Sequence, residues 1–548
     1  MATRHKIDDA LTSTQKGDVE AYFHDLVTMI EKNSGVHDFK LITHECYNVN
    51  APFKADQFAT FALTDPGVDI VDLSKGFLNL ELNIGIKFLF KDFDKNGKLD
   101  SVLRDRTIFF VGFKSGAQII NNYNVISNGR LTACKNTKAK HEQAIVFSSK
   151  SKDEKCGRPG MYSAHENVLK MSKCVCGAYI ELPKFEDINE TQIISMDLLI
   201  QIDDLLPFSA MSYYPRFLTK DLELQISTNL VQNMVFCQLP YESTKDMNLD
   251  RLGSAGEPNC QGPLDSRFTQ CGDYTFGLIP TKGEYDSIQD ALNGEEDNVE
   301  PYQYTIVPID YDVKRAKSYI YGFNIKDTAK QNILKEFKEN NFVVPAQWID
   351  HYTFSQLPGT SNITSNIYVP MYNASQLILT FPVSGNQLTV SRNPHLDAVQ
   401  CHVSDKIIPD KFFSTLDNAH AEMVLCNLNF DSLFQAPDEL IEALTVDRKT
   451  NTDWTLKKKD DSDYMLVFSL ERFGNGCFCD GLSGSQIPVN FTANYLQGLL
   501  NPHFYDDEGK LHANNINMFV VQDAFWVFGP DGGTFIKDSI AEQVTNKA

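Results

Sequence analysis

Polar and apolar residues alternate strictly over residues 78–88, and this alternation limits what the chain can fold into. The apolar positions are Leu78, Leu80, Leu82, Ile84, Ile86 and Phe88. Successive side chains of a β-strand point to opposite faces, so the pattern predicts a long strand with one buried face and one solvated face. Such a strand is typical of an antiparallel sheet that covers a core with one side only.

The same period of two recurs in both halves of the chain, in segments separated by turn signals. Further strands are predicted at residues 107–113, 119–127, 196–202, 222–227, 318–325, 376–381, 398–403, 465–470, 487–492 and 516–528. Helices are predicted at residues 19–30, 327–340 and 437–444, with a shorter helical indication at Ser287–Leu292. The first of these is an amphipathic helix behind a polar arm. The predicted fold class is therefore all-β with a few short helices.

Composition narrows the classes of function. Hydrophobic residues make up 42% of the chain, enough to build real cores, which excludes wholesale disorder. The 50 Lys+Arg against 72 Asp+Glu give a net charge of −22, so direct nucleic-acid binding is not expected. The sequence shows no signal peptide and no stretch near the roughly 20 apolar residues of a transmembrane segment, so we expect a soluble product made in the cytosol.

Cysteine spacing does not predict a metal site. The chain contains two close pairs, Cys174/Cys176 and Cys477/Cys479. In each pair a single residue separates the two cysteines, whereas zinc half-sites have about two to four intervening residues. In a strand this spacing puts both thiols on one face, as small half-buried residues. Cys260 and Cys271 flank a turn-rich loop; they could bridge under oxidising conditions, but a reduced pair is expected in the cytosol.

Other motifs of chemical interest are incomplete. Residues Asp92–Asp100 begin like a calcium-binding loop, but Leu103 stands where the closing carboxylate is required. His420 and Glu422 resemble a zinc-deaminase motif without its cysteine pair, and Gly481–Ser485 has the wrong glycine spacing for a nucleophile elbow. No phosphate-binding glycine loop appears. We therefore predict no catalytic residue, no cofactor-binding or metal residue, no cofactor and no small-molecule substrate.

The three tryptophans, Trp348, Trp454 and Trp526, allow a second interpretation. They could form a platform for sugars, although packing in a core or an interface is the usual role of tryptophan. A sugar platform would make the chain a β-sandwich carbohydrate-active enzyme or a glycan- or receptor-binding protein. These two functions stay open as alternatives.

Comparison of the two halves predicts an internal duplication. Residues 198–202 are followed by a similar strand at 222–226, and residues 466–470 are followed by another at 487–491. The turns at Asn128-Gly129 and Ser404-Asp405 each follow an apolar alternating strand. We predict that these two turns close equivalent hairpins in two copies of one β fold.

The order of several segments resembles the double jelly-roll major capsid proteins of large eukaryotic DNA viruses, Polinton/Maverick elements and adintoviruses. The likeness lies in VDLSKGFLNLEL at Val71–Leu82, GNQLTVSRNP at Gly385–Pro394 and VSDKIIP at Val403–Pro409, and in residues 208–226, 316–325, 342–345, 468–471, 486–492 and 517–528. It covers roughly residues 60–540. Gly76 and Ser404 depart from the family's usual residues.

The resemblance implies two tandem antiparallel eight-stranded jelly rolls. The expected divisions are an N-terminal arm and amphipathic helix at 1–55, a first jelly roll at 56–328 with a long loop at 241–301, a connecting helix and linker at 329–355, and a second jelly roll at 356–548.

The resemblance also implies a function. The expected function is that of a structural virion protein, a major capsid protein whose homotrimers are pseudo-hexameric capsomers of an icosahedral capsid. The expected partners are further copies of itself in the trimer and in neighbouring capsomers, and penton and minor capsid proteins. The helix at 19–30 is expected to dock at the base of the capsomer or on a neighbouring subunit, because its apolar stripe needs cover.

Overall fold

The fold was examined in a computed structural model. It describes residues 35–91, 108–111, 115–136, 139–150, 178–181, 191–209, 212–229, 236–238, 277–280, 301–336, 342–355, 362–382, 391, 394, 396–413, 421, 464–471, 481–495, 515–529 and 532–536. Strands dominate these residues.

The strands fall into two groups along the chain. The first group is β1 His37–Glu45, β2 Phe53–Lys54, β3 Ala59–Ala62, β4 Ile70–Lys91, β5 Ile108–Val111, β6 Ile120–Ser127, β7 Arg130–Lys135, β8 Ala178–Glu181, β9 Gln192–Gln201, β10 Tyr213–Pro215, β11 Leu222–Thr228, β12 Phe236–Gln238, β13 Gly277–Pro280 and β14 Pro301–Asn324. The second group is β15 Phe342–Ser355, β16 Asn362–Thr380, β17 Leu396–Val403, β18 Lys406–Phe413, β19 Met465–Ser469, β20 Leu482–Tyr495, β21 Asn515–Gly529 and β22 Gly532–Ile536.

The α-helices among the described residues are short. They are α1 Ala139–Ser149, α2 Arg216–Thr219 and α3 Asp327–Glu336. The third confirms most of the helix predicted at 327–340, whereas the helices predicted at 19–30 and 437–444 lie outside the described residues. Within the described part of the chain, no helix has the length and apolar character needed to cross a membrane.

The first group of strands forms a sandwich, here called the first sandwich. In one sheet β1 pairs with β14, β14 with β4 and β4 with β9; in the other, β3 pairs with β11, β11 with β6 and β6 with β7. Numbered one to eight in chain order, these strands have the orders 1-8-3-6 and 2-7-4-5. All the pairs are antiparallel, and this is the order of a jelly roll.

The second group, the second sandwich, repeats both orders. On one side of this sandwich the strand order is β15-β21-β16-β19, and on the other side it is β16-β20-β17-β18. The strand β16 serves as strands two and three, because Asn362–Val369 pairs with β20 and Gln376–Thr380 pairs with β19 and β21. The prediction of two tandem antiparallel jelly rolls, and of an internal duplication, is confirmed.

The alternation at residues 78–88 produces the predicted strand with one buried face. In β4 the side chains of Leu78, Leu80, Leu82, Ile84 and Ile86 are fully buried, and the residues between them are partly exposed. Their burial holds the two sheets of the first sandwich together.

The two predicted hairpins are strands four and five of their sandwiches. Asn128 and Gly129, both with positive φ, connect β6 to β7, and Ser404, also with positive φ, begins the turn from β17 to β18. The two turns are thus topologically equivalent, as predicted.

Several of the observed strands were not predicted, and three of them fall in ranges for which another structure was expected. The strand β1 lies within the range expected as the N-terminal arm, and β15 lies within the range expected as the connecting helix and linker. The strand β13 lies within the expected long loop at 241–301 and pairs with β14. The domain limits themselves stay a prediction.

Candidate assembly interface

The two sandwiches meet through one face of the second sandwich. Alternate residues of β15 and β21 point towards the first sandwich and belong to its core cluster: Val344, Ala346, Trp348, Ala524, Trp526 and Phe528. Other residues of the same strands, among them Ile349, Met518 and Val520, belong to the core cluster of the second sandwich. All residues of β21 from Ile516 to Phe528 are buried, and the six residues that face the first sandwich form an apolar layer between the sandwiches.

Aromatic rings form the centre of this contact. Trp526, fully buried, stacks on Phe208 with ring centroids 6.1 Å apart, and its indole N–H donates to the backbone carbonyl of Pro207. The ring of Phe528 meets Tyr214 edge-on at 6.5 Å. Aromatic pairs of this kind add stabilisation beyond the area that they bury.

A buried ion pair of the first sandwich lies at the same contact. The Lys135 ammonium lies 2.9 Å from the Glu142 carboxylate, and their side chains are only 5% and 0% exposed. The same ammonium donates to the backbone carbonyl of Ile349 in the second sandwich and lies 4.4 Å from the ring centroid of Trp348. Buried charges are tolerated when they are paired and hydrogen-bonded in this way.

Tyr123 completes the group around the ion pair. Its hydroxyl donates to the second Glu142 oxygen at 2.8 Å, and its ring meets Trp348 edge-on at 6.4 Å. Burial, and then the Glu142 charge, raise the pKa of Tyr123 well above its usual value, so the hydroxyl remains a neutral donor.

Two histidines also stack across the contact. The ring centroids of His141 in α1 and His351 in β15 are 4.2 Å apart. His351 stacks in turn on Phe519 at 4.9 Å, and its Nε2 lies 3.1 Å from the side-chain oxygen of Asn517. The helix α1 therefore sits against β15 as part of the contact.

The last described strand fastens the second sandwich to the first hairpin. The backbone N–H of Gly533 donates to Ser127 Oγ at 2.7 Å. Gly532 has a φ of +110°, and a Cβ there would lie 2.9 Å from the Cβ of Asn128. Both glycines are needed for β22 to approach the turn this closely.

The corresponding face of the first sandwich is open. Leu41 of β1 and Tyr321 of β14 are cross-strand partners on this face and are 53% and 39% exposed. Next to them Tyr319 stacks on Phe77 at 4.8 Å, and Phe39, 75% exposed, lies beside Phe323 at 5.5 Å. We call Phe39, Leu41, Phe77, Tyr319 and Tyr321 the open face.

Charged pairs border the open face further along the same strands. Lys317 lies 3.0 Å from Glu45, and Lys314 lies 2.6 Å from Glu81. The hydrogen bond from Lys317, and then its charge, lower the pKa of Glu45. An apolar centre with a polar border is the usual arrangement of a protein–protein contact.

Two of the three tryptophans pack between the sandwiches. Trp348 and Trp526 are buried between the sandwiches, which confirms packing as their role, whereas Trp454 lies outside the described residues. Other motif residues also lie outside the described residues: the incomplete calcium loop, the His420/Glu422 motif, both Cys-x-Cys pairs and the Cys260/Cys271 pair.

Two of the described residues have plain structural explanations. Gly481 is a glycine because a Cβ there would lie 2.4 Å from the backbone oxygen of Ala374. Cys401 is buried in β17, and burial raises the pKa of its thiol to about 12, so it is a core residue and a poor nucleophile.

The contact between the sandwiches was not predicted from the sequence. A signal for it exists, because residues 342–349 and 516–528 are apolar at consecutive as well as alternate positions. Continuous apolar runs are typical of strands buried on both faces.

Comparisons with known proteins gave matches among solved structures only; no family model and no curated protein matched. A chain in the cryo-EM structure of the Sputnik virophage has 11% sequence identity to this chain and a TM-score of 0.46. The match covers 94% of this chain and 91% of the virophage chain. The mavirus major capsid protein is 9% identical over 93% and 92%, with a TM-score of 0.46. The Faustovirus major capsid protein is 8% identical over 90% and 91%, with a TM-score of 0.46.

Proposed function

We propose that the chain is a structural virion protein without catalytic activity, a major capsid protein whose homotrimers form pseudo-hexameric capsomers of an icosahedral capsid. The proposal extends to this chain the role that the sequence resemblance implies. Its partners are further copies of the same chain, together with penton and minor capsid proteins.

One observation carries the proposal. The chain contains the same sandwich twice, and the face that joins the second sandwich to the first is open on the first. The contact is head-to-tail, because a face of one sandwich meets a different surface of the other. Head-to-tail contacts between equivalent units continue from unit to unit until a ring closes. Three chains supply six sandwiches, and a ring of six has the hexagonal outline that tiles a surface.

The charge of the chain fits a shell protein that leaves genome neutralisation to other components. At a net charge of −22, the subunit repels nucleic acid at long range. We infer that basic core proteins, cations or an internal membrane lie between the shell and the genome.

The test is the state of association of the purified full-length chain. Light scattering should find a stable species of three times 61.8 kDa, and electron micrographs should show hexagonal capsomers or closed shells. A chain that remains monomeric at high concentration would contradict the proposal. Glycan-binding and glycan-hydrolysis assays on the same preparation test the carbohydrate alternatives, and activity in either would favour them instead.

A further inference from the structure

We propose that His141 and His351, here called the histidine pair, are an acid-sensitive fastening between the two sandwiches. At neutral pH the stacked rings of the pair hold α1 against β15, and on acidification their protonation releases α1. The pair lies within one chain, so this role goes beyond the proposed function and does not depend on it.

The helix α1 is the element of the first sandwich that the pair fastens. Its residues Ile145 and Val146 are buried and belong to the core cluster of the second sandwich, together with Ile349 of β15. His141 and Ile145 are about one helical turn apart in α1, and Ile349 and His351 lie on one face of β15. The stacked rings therefore continue the apolar contact between α1 and β15.

His351 lies where a positive charge is unfavourable. It is 7% exposed and is placed between the rings of His141 and Phe519, with centroid distances of 4.2 and 4.9 Å. Its Nε2 lies 3.1 Å from the side-chain oxygen of Asn517, so an Nε2–H that donates to this oxygen satisfies the neutral ring. A further proton would enter at Nδ1 and would place a cation in a desolvated stack of rings.

The two imidazoles also limit each other. Their centroids are 4.2 Å apart and their planes differ by 21°, so the rings overlap. Two imidazolium charges at this distance repel, and the repulsion is stronger where water is excluded. The stacked pair therefore takes up at most one proton, whereas two separated, solvated rings each take up a proton below about pH 6.5.

The charged residues of α1 and its surroundings do not offset a charge on the pair. Glu142 lies 2.9 Å from the Lys135 ammonium, and at the far end of α1 Lys150 lies 3.4 Å from Asp204. Lys140, next to the histidine of α1, is a further cation, and burial lowers its pKa. The carboxylates on this side are thus already paired with lysines.

The second sandwich places one carboxylate next to the pair in sequence. Asp350 accepts hydrogen bonds from Trp348 and from Gln522, and it points to the opposite face of β15 from His351. The two residues of β21 against His351, an asparagine and a phenylalanine, carry no charge. Among the described residues, the side of β15 that holds the pair is therefore neutral.

Acid favours the separated rings, because an equilibrium shifts towards the state that binds more protons. Between pH 7.5 and 5.5, a ring that is neutral in the stack and titrates when separated shifts the opening equilibrium about tenfold. One such ring gives about a tenfold shift, and two give about 100-fold. The fastening is complete at about pH 7.5 and is lost progressively below about pH 6.5.

The experiment measures amide hydrogen exchange of the purified full-length chain at pH 7.5 and 5.5, by mass spectrometry of its peptides. Each rate is divided by the intrinsic rate at the same pH, so that the ratio reports local opening. Acid should raise the opening of α1 by about 10- to 100-fold. Peptides from β4 and β11, in the centre of the first sandwich, should change by less than about threefold.

A double variant removes both titrating rings. His141→Phe/His351→Gln keeps a ring in α1 and a donor for Asn517, and it should reduce the acid response of α1 to less than about threefold. His141→Gln/His351→Gln is a second, smaller version, and thermal unfolding at pH 7.5 verifies that either is folded. The matched control is His44→Gln, which removes a partly exposed histidine 3.5 Å from Asp65 and should leave the response unchanged.

Three results would overturn the proposal. They are a wild type whose α1 opens equally at both pH values, an acid response that persists in a folded double variant, and an acid response that is equal in all peptides, which would be global unfolding. The state of association is a separate measurement, so each of these results leaves the proposed function standing.

Discussion

The two sandwiches have the same strand order, but the equivalent face is buried on one and exposed to solvent on the other. On the second sandwich Trp526 of that face is 0% exposed, whereas on the first sandwich Leu41 is 53% exposed. The difference does not come from local structure, since both faces are formed by strands one and eight of a jelly roll. It comes from what lies against the face. The comparison shows a face that is covered within the chain on one sandwich, and the equivalent face left exposed on the other.

The largest expected effect comes from opening the covered face. Trp526→Ala should lower the free energy of unfolding by about 5 kcal/mol, because it removes a fully buried ring and leaves a cavity between the sandwiches. Tyr321→Ala, on the open face, should cost the unassembled chain less than about 1 kcal/mol. Urea unfolding of both variants measures the difference, and equal losses would show that the two faces are energetically alike.

The buried ion pair gives the next largest effect. Lys135→Met should destabilise the chain by about 3–4 kcal/mol, because Glu142 would keep a buried charge without its cation. The double variant Lys135→Met/Glu142→Leu should recover most of this loss. Lys314→Met is the control at the border of the open face, where a solvated pair contributes about 0–1 kcal/mol. Recovery that fails in the double variant would contradict the role of the ion pair.

A smaller effect is expected where β22 meets the first hairpin. Gly532→Ala should cost about 2 kcal/mol, because it combines a φ of +110° with a Cβ 2.9 Å from Asn128. Gly129→Ala carries the conformational cost alone, about 1 kcal/mol, since a Cβ there meets no atom within 4 Å. Thermal unfolding separates the two, and identical shifts would show that the contact with Asn128 adds nothing.

The smallest effect compares the two equivalent turns. Ser404 has a φ of 54°, a conformation that is unfavourable for serine, so Ser404→Gly should stabilise the second hairpin by a few tenths of a kcal/mol. Asn128, at a φ of 49°, already tolerates this conformation, and Asn128→Gly should bring no gain. The opposite ranking in a thermal-shift measurement would mean that the turns are not governed by the same backbone requirement.

Much of the fold could be predicted from the sequence, because the predicted strands have one buried and one solvent-exposed face and therefore alternate between apolar and polar residues. The alternation at Leu78–Ile86 and the repeated pairs at 198–226 and 466–491 are local signals of strands and of their order. The strand β1 was not predicted because this signal is missing there. Nearly every side chain of His37–Glu45 is exposed, and the segment has little alternation of polar and apolar residues. The strand β15 was missed because it is apolar on both faces and has no period of two.

The interface could be predicted much less well. The pairing of Lys135 with Glu142 joins a strand and a helix in one part of the chain to Ile349, which is 214 residues from Lys135. No spacing rule connects residues so distant, and a buried lysine has the same letter as a solvated one. Only the two doubly apolar segments indicated that something must cover the second sandwich.

The contact between Gly533 and Ser127 spans 406 residues of the chain, and this separation has a consequence for synthesis. The first sandwich leaves the ribosome well before the strand that binds its hairpin has been made. At the usual rates of translation, the surface around Tyr214 waits on the order of tens of seconds for Phe528 to arrive. During that interval a nascent chain exposes the apolar surface that its own second sandwich later covers. That surface is open to non-native contacts with other chains until the second sandwich has been made.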